Sequence, residues 1–209
     1  MILKVNPTRI SLLNLKRELK VAGRGHKLLK DKRDGLMKKF MSSVREVKSL
    51  RERVEREMGE VFRLYVRGSS AMPETSIAGA FLLPNIVLNI FAKSETVMSV
   101  PTPNFSVSKK GRLFSYGFSE TGADMDTSVL KLDSALLEIV KLAELEKTLE
   151  NLAIEIEKTR RRASALENTK IPNLKDTIRF ITMRLEEQAR DAVVATMRVK
   201  AQILATENS

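Results

Sequence analysis

Few residues of this chain have the types and spacing needed for catalysis or metal binding. Gly23-Arg24-Gly25-His26-Lys27 is rich in glycine, but it lacks the spacing of a phosphate-binding loop and follows no predicted strand. His26 is the single histidine and there is no cysteine, so histidine clusters, thiolate metal sites and disulfides are excluded. We therefore expect no cofactor and no metal, and we interpret the glycine-rich run as a turn of helix.

The paired carboxylates of the chain lack the surroundings that acid–base catalysis requires. Glu155 and Glu157, like Glu186 and Glu187, lie in strongly polar stretches with no apolar pocket to shift their pKa values. Charged residues make up 30% of the chain and aromatic residues 5%, which is typical of long exposed helices. The sequence thus favours a non-catalytic protein whose function depends on helices and their partners.

The first segment, residues 1–66, is predicted to form one long helix. No proline occurs from Thr8 to Val66, and Thr8 is a suitable N-cap. Apolar residues recur at about 3.6-residue spacing and define one stripe: Phe40, Val44, Val47, Leu50, Val54, Met58, Val61 and Tyr65. A helix of this length needs a partner helix to cover its stripe.

The last segment, residues 124–209, carries a second apolar seam, which runs to about Leu204. Before Pro172 the seam contains Leu132, Leu136, Ile139, Ala143, Leu145, Leu149, Leu152 and Ile156. After Pro172 it contains Leu174, Ile178, Ile181, Leu185, Gln188, Ala192, Ala195 and Val199, in alternating steps of four and three. Pro172 predicts a helix bend, and a full break is the alternative.

Residues 67–123 differ in composition and form the predicted connector. They hold several prolines and glycines and most of the phenylalanines, with possible strands at residues 86–91, 96–100 and 113–118. We expect a mainly α fold: a long antiparallel two-helix coiled coil formed by the N- and C-terminal segments, with a small connector that contains a β-hairpin. The predicted division is 1–66, 67–123 and 124–209.

The distribution of charge adds a prediction about partners. The net charge is +11. If the chain folds back near residue 96, the numbers of two paired residues add to about 192. Residues 16–33 then lie beside residues 158–184. Each of these two ranges has a net charge of +6. Two basic segments at one level of a coiled coil repel each other, which indicates an acidic or dipolar surface outside the pair. The alternative is a solvated basic face. Residues 124–157, with a net charge of −6, face a modestly positive helix.

Two groups of residues resemble a known family. Arg24-Gly25-His26-Lys27-Leu28-Leu29-Lys30-Asp31-Lys32-Arg33-Asp34, preceded by Val5-Asn6-Pro7-Thr8-Arg9, resembles the D subunit of V-type and A-type (archaeal and bacterial) rotary ATPases. Ile154-Glu155-Ile156-Glu157-Lys158-Thr159-Arg160-Arg161-Arg162 and Ile171-Pro172 resemble the same family. The similarity follows both helices in order, whereas the connector matches only in character.

The resemblance implies a central rotor shaft that couples ATP hydrolysis or synthesis to ion transport. Its implied partners are the A and B subunits of the catalytic hexamer, the F subunit, and the C (or d) subunit that links the shaft to the membrane ring. The implied location is cytoplasmic and peripheral to the membrane. We expect the residues that contact the hexamer to be His26, Lys27, Lys30, Lys32, Arg33, Lys158, Arg160, Arg161 and Arg162. We expect residues 124–157, opposite residues 44–61, to bind the F subunit.

Two other functions remain open from sequence. A basic coiled coil could bind nucleic acid through phosphate neutralisation, although the chain has no aromatic platform or recognition module. It could also serve as a passive scaffold. No apolar run approaches the roughly 20 residues that cross a bilayer, so we expect no direct membrane insertion.

Overall fold

The first helix begins where the sequence places its cap. In a computed structural model, which describes residues 5–82, 85–117 and 121–207, helix α1 spans Arg9–Ser70. The hydroxyl of Thr8 accepts a hydrogen bond of 3.1 Å from the amide of Ser11, as expected for an N-cap. The helix continues four residues beyond the predicted end at Val66.

The remaining elements follow in the predicted order of connector and second helix. Helix α2 spans Glu74–Phe81, strand β1 spans Ile86–Val97 and strand β2 spans Val100–Gly111. Helix α3 spans Ala123–Ala165, a π-helical turn spans Leu166–Lys170, and helix α4 spans Ile171–Glu207. Two long helical segments joined through an antiparallel hairpin confirm the predicted fold class.

The contacts of the chain group it into two units. Unit 1 contains Met1–Asp34 and Glu157–Ser209, and unit 2 contains Gly35–Ile156. Each unit therefore contains a piece of α1 and a piece of the returning helical segment. The division by composition into residues 1–66, 67–123 and 124–209 remains a prediction.

The core of unit 1 lies between the start of α1 and the first half of α4. Its buried residues are Leu15, Ala22, Leu174 and Ile181, and Ile181 is fully buried. Further apolar side chains pack around them, namely Leu12, Leu19, Ile171, Ile178 and Leu185. The first half of the predicted seam after Pro172 is therefore confirmed.

The second half of that seam, from Gln188 to Val199, is not buried. Every described side chain from Glu186 to Ile203 is exposed, including Val194 and Met197. The reason is length: α1 begins at Arg9, so no residue of α1 remains to pair with α4 beyond about Leu185. The heptad spacing indicated an apolar face correctly but could not tell which helix would cover it.

In unit 2 the predicted stripe of α1 is buried against α3. Val47, Leu50, Val54 and Val61 are all below 10% exposed, whereas Tyr65 is 38% exposed. Near the end of α1, Gly68 and not Tyr65 lies against α3. A Cβ atom at this glycine would lie 2.9 Å from the backbone amide nitrogen of Met125. Only glycine permits this close approach of the two helices.

Helix α3 is buried on more than one side. Ala135 and Val140 are buried, whereas the predicted seam residues Leu132, Leu136 and Ile139 are only half-buried. This part of the seam is less buried than expected because α3 contacts the hairpin as well as α1. A helix between two neighbours has no single narrow stripe for a heptad analysis to find.

Ion pairs between α1 and α3 show the register of unit 2. Four of them cross between the helices: Arg51–Glu146 at 2.5 Å, Arg53–Glu138 at 2.8 Å, Lys131–Glu60 at 2.6 Å and Arg67–Asp124 at 2.8 Å. The residue numbers of these pairs add to between 191 and 197, close to the predicted 192. We refer to these four pairs as the salt-bridge ladder.

The hairpin extends beyond its predicted strands. Residues 92–95, expected to separate two strands, are part of β1, and β1 pairs along its whole length from Ile86↔Gly111 to Val97↔Val100. The turn consists of Met98 and Ser99, which both have positive φ, at 54° and 67°. Residues 113–117 form no strand, in contrast to the prediction, and Phe118 lies outside the described residues.

Two prolines in β2 concealed this strand in the sequence. The amide of Phe105 donates to Glu144 of α3 at 2.8 Å instead of to β1. Because amides two residues apart in a strand point the same way, Pro101 and Pro103 occupy positions whose amides would also point away from β1. Their missing N–H groups therefore remove no bond from the ladder between the strands.

The hairpin lies along α3 and its tip reaches the helix pair. Lys109 is paired with Asp133, Phe105 with Glu144, and the carbonyl of Pro101 with Asn151. From Lys109 to Pro101 the strand advances eight residues, and from Asp133 to Asn151 the helix advances eighteen residues. Both segments span about 26–27 Å, so β2 and α3 can stay in contact along this length. At the tip, Val100 is buried together with Leu36 and Leu152.

The helix continues through Pro172. Within the π-helical turn the amide of Ile171 donates to the carbonyl of Leu166, five residues back. This wider turn precedes the proline, which has no amide to donate to the carbonyl of Asn168. The alternative of a full break is therefore wrong, and the bend at Pro172 remains a prediction.

Candidate functional site

The candidate site begins where the apolar seam of unit 1 becomes polar. The seam of α1 runs through Leu15, Leu19 and Ala22 in steps of four and three. The same steps place His26, Leu29 and Arg33 at the next seam positions, and two of them, His26 and Arg33, carry polar side chains where a coiled coil normally has apolar ones. Both side chains are half-buried, at 24% and 35% exposure. At this level the helix pair therefore presents polar and charged groups to its own interface.

The facing helix offers small side chains at this level. Ala163 is buried at 7% exposure and Thr159 at 2%, and Ser164 lies beside them. Because these residues are short, a cleft of about 330 Å³ remains between the helices. Its polar lining consists of His26, Lys30, Arg33, Arg160, Ser164 and Glu167, with Ala163 at its base. We call this space the basic cleft.

Three of the predicted contact residues of α1 thus meet one from the returning helix. His26, Lys30 and Arg33 lie on one face of α1, at spacings of four and three, and Arg160 lies opposite them. Lys27, Lys158, Arg161 and Arg162 do not line the cleft and are exposed at the same level, while Lys32 is half-buried. The structure therefore separates the predicted set into cleft residues and outward-facing residues.

A few carboxylates moderate the charge of this level. His26 Nε2 lies 3.4 Å from Glu167 Oε2, Lys170 lies 2.9 Å from Glu18, and Arg33 lies 2.8 Å from Asp34. Arg161 pairs with Glu157 one turn earlier on its own helix. These are surface pairs, which contribute little to stability individually.

Several cations of this level have no such partner. Within residues 5–82, 85–117 and 121–207, no carboxylate forms an ion pair with Lys30 or Arg160, and the same holds for Lys27, Lys158 and Arg162. Unit 2 differs, since its salt-bridge ladder matches basic residues of one helix to acidic residues of the other. The sequence predicted this contrast from net charge alone. We refer to residues 16–33 and 158–184 together as the basic level, and the ion pairs among the described residues leave it with an excess of positive charge.

The shifted pKa values belong to groups outside the basic cleft. Hydrogen bonding to Lys131 lowers the pKa of Glu60, and hydrogen bonding to Arg67 lowers the pKa of Asp124. Burial, together with a hydrogen bond of 2.9 Å to Asp126, raises the pKa of Tyr116 above its usual range. Each shift is explained by a structural contact, and none identifies a group tuned for proton transfer.

An aromatic group near the hairpin base was missed by the sequence analysis. Tyr65, Phe81, Tyr116 and Phe114 follow one another at centroid separations of 6.4, 6.0 and 5.9 Å. A groove of about 380 Å³ lies beside them, and Phe62, which lines it, is 59% exposed. The concentration of phenylalanine in residues 67–123 was the available signal. Sequence spacing alone could not bring Tyr65 of α1 next to Phe81 of α2.

Metal-binding clusters and membrane-spanning helices are both absent from the described part of the chain. No group of three or more histidine, cysteine, aspartate or glutamate side chains in residues 5–82, 85–117 and 121–207 could hold a metal ion. Over the same ranges, no helix has the length and apolar character needed to cross a membrane.

Comparisons with known proteins cover nearly the whole chain. The family model for the D subunit of ATP synthase matches residues 11–201. A protein of Thermoanaerobacter sp., named as the D subunit of a V-type ATP synthase, is 42% identical over 202 residues, which is 96% of this chain and 97% of the relative. A protein with the same name from Fusobacterium nucleatum is 42% identical over 201 residues, which is 95% of this chain and 95% of the relative. Another from Clostridium botulinum is 41% identical over 204 residues, which is 95% of this chain and 94% of the relative.

Proposed function

The chain belongs to the family of ATP synthase D subunits, and we propose that it acts as the central stalk, or rotor shaft, of a V/A-type ATPase or ATP synthase. In this role it couples ATP hydrolysis or synthesis in a hexamer of A and B subunits to ion transport by rotation. It contributes no catalytic group of its own and acts through contacts with its neighbours.

The proposal that this chain contacts the hexamer rests on the excess of positive charge on both helices at one level. Lys27, Lys30, Lys158, Arg160 and Arg162 have no carboxylate partner among the described residues, whereas the helices of unit 2 neutralise each other. Repulsion within the basic level disfavours the isolated pair, and a surrounding acidic or carbonyl-lined surface offsets it. We assign this surface to the inner wall of the hexamer.

The end of α4 supports an orientation of the shaft in which the chain termini lie inside the hexamer. The side chains of residues 186–203 are all exposed, and they include Val193, Val194 and Met197. An apolar helical segment of this kind needs a surrounding surface that removes it from water. Placing the chain termini inside the hexamer covers both the basic level and this segment.

The other partners are assigned to unit 2. We propose that the F subunit binds along residues 124–157 and 44–61, and that the C (or d) subunit connects the shaft to the membrane ring. This arrangement places the chain at the periphery of the membrane within the complex. The aromatic group around Phe81 and Tyr65 offers an exposed apolar surface for one of these subunits.

Reconstitution tests the proposed role directly. Purified A, B and F subunits are mixed with and without this chain, and the complex is separated by size-exclusion chromatography. We expect one copy of the chain per ring of A and B subunits and a change in ATP turnover when it is present. Failure to join the ring at physiological salt would contradict the proposal. The nucleic-acid alternative predicts salt-sensitive binding to duplex DNA, and none of the three relatives carries a name that supports it.

A further inference from the structure

We propose that the basic cleft is a binding site for a free oxyanion of the size of inorganic phosphate. This proposal concerns the chain by itself, and it stands or fails independently of whether the same level also contacts the hexamer. It rests on the position of the cleft, its charges and its shape.

The cleft lies between the two helices and opens to solvent, since Lys30, Arg160 and Ser164 are exposed. Its residues on α1 are spaced at four and three, and its residues on the returning helix, from Arg160 to Glu167, are spaced in the same way. Each set therefore lies on one side of its own helix, and both sets line the same cleft. Donors from two helices therefore surround one volume, which distinguishes the cleft from the solvated lysines elsewhere on the chain.

The lining has more positive than negative charge. Lys30, Arg33 and Arg160 supply three cations, and Glu167 is the single lining carboxylate. Glu167 is engaged by His26 at 3.4 Å, and Asp34 outside the cleft engages Arg33 at 2.8 Å. Among the described residues, Lys30 and Arg160 have no ion-pair partner, so a bound anion would supply the missing negative charge.

The donor types suit an oxyanion with several acceptor atoms. A guanidinium presents planar paired donors that fit two oxygens of a phosphate, and an ammonium acts as a point charge. The Ser164 hydroxyl accepts a hydrogen bond of 3.0 Å from Asn168 and can donate its own proton toward the cleft. The cleft, at about 330 Å³, has room for an ion that retains part of its water.

Small residues are the structural reason that the site exists. Ala163 is buried at the base of the cleft and the exposed Ser164 lines it, so a leucine in place of Ser164 would occupy part of the cleft. The cleft can therefore be closed without changing any charge. A Ser164→Leu variant keeps every cation, and leucine is a strong helix former at an exposed position.

The test measures phosphate binding to the full chain by isothermal titration calorimetry, with sodium chloride adjusted to constant ionic strength. We expect the wild-type chain to bind phosphate with a dissociation constant in the range of about 1 mM. Replacing one cation, in Lys30→Ala or Arg160→Ala, is expected to weaken binding about tenfold, since each charge-assisted bond contributes on this scale. Ser164→Leu is expected to abolish binding.

One control variant distinguishes a specific phosphate site from general attraction of phosphate to a basic protein. Lys20→Ala combined with Lys175→Ala removes two exposed cations from the same two helical segments outside the cleft. This variant is expected to keep wild-type affinity, and far-ultraviolet circular dichroism verifies helicity in all variants. No phosphate binding by the wild type overturns the proposal, and so does equal weakening in the control variant or unchanged binding in Ser164→Leu.

Discussion

The guanidinium of Arg67 donates two hydrogen bonds, 2.9 and 2.8 Å long, to the carboxylate of Asp124. They connect the last turn of α1 to the first turn of α3, where the chain leaves the helix pair and returns to it. Asp124 also lies at a helix N-terminus, where negative charge is favourable. This ion pair thus connects α1 to α3 at the end of the helix pair that lies next to the connector.

This contact predicts how stability depends on pH. Hydrogen bonding from Arg67 lowers the pKa of Asp124 below 3.8, so the pair stabilises the folded state above that pH. The contribution is lost as the pH falls through the lowered folded-state pKa. We expect thermal unfolding of Asp124→Asn to be less sensitive to acid than that of the wild type. Glu186→Gln removes an exposed carboxylate with no ion pair among the described residues and serves as the control. Equal acid sensitivity of all three proteins contradicts this role for Asp124.

The buried tip of the hairpin predicts a measurable packing contribution. Val100 is 1% exposed and packs with Leu36 and Leu152. Val100→Ala is expected to lower the free energy of unfolding by about 1–2 kcal/mol, as measured by chemical denaturation. Val97→Ala, at a 37% exposed position on the other side of the turn, is expected to have a smaller effect. If both variants lose the same stability, the tip is not docked between the helices in solution.

The turn of the hairpin contains conformational strain that substitution can relieve. Met98 and Ser99 both have positive φ, a region that asparagine and glycine adopt more readily. The double variant Met98→Asn, Ser99→Gly is expected to raise the unfolding free energy by up to about 1 kcal/mol, as measured by chemical denaturation. Ser94→Gly, within the extended part of β1, is the matched control and is expected to destabilise. A destabilised turn variant would show that the Met98 side chain contributes more than its backbone conformation costs.

The register of unit 1 can be tested with cysteines, because the chain contains none. Ala22 and Leu174 belong to the same buried cluster. We expect Ala22→Cys with Leu174→Cys to form a disulfide under mild oxidation, detected by non-reducing electrophoresis. Pairing Ala22→Cys with Leu185→Cys places the second thiol about 16 Å further along α4, and this variant is expected to remain reduced. Crosslinking of the second pair but not the first requires a different register.

The sequence predicted the pairing of the helices better than it predicted the connector. Residue numbers near 192 anticipated Arg53–Glu138 and His26–Glu167, because helical periodicity and net charge are local patterns. The course of β2 along α3 could not be predicted in this way. It depends on Phe105 meeting Glu144, a contact between residues 39 positions apart with no repeating pattern.

The candidate site was predicted in composition but not in arrangement. The basic residues were identified from charge, yet the basic cleft depends on Ala163 and Ser164, whose small size carried no signal in the sequence. Likewise, the exposed end of α4 follows from where α1 starts. The apolar spacing of Ala192, Ala195 and Val199 was the same as that of buried residues.

The central claim is that the basic level binds the hexamer, and charge reversal tests it most directly. The variant Arg160→Glu, Arg161→Glu, Arg162→Glu is mixed with A, B and F subunits at physiological salt, and its recovery with the ring is measured by size-exclusion chromatography. Lys38→Glu, Lys39→Glu, Lys93→Glu changes the charge equally at exposed positions of unit 2 that lie outside the proposed F-subunit surface. We predict that the first variant is lost from the ring while remaining helical, and that the control is retained. Full retention of the Arg160–Arg162 variant would contradict the claim.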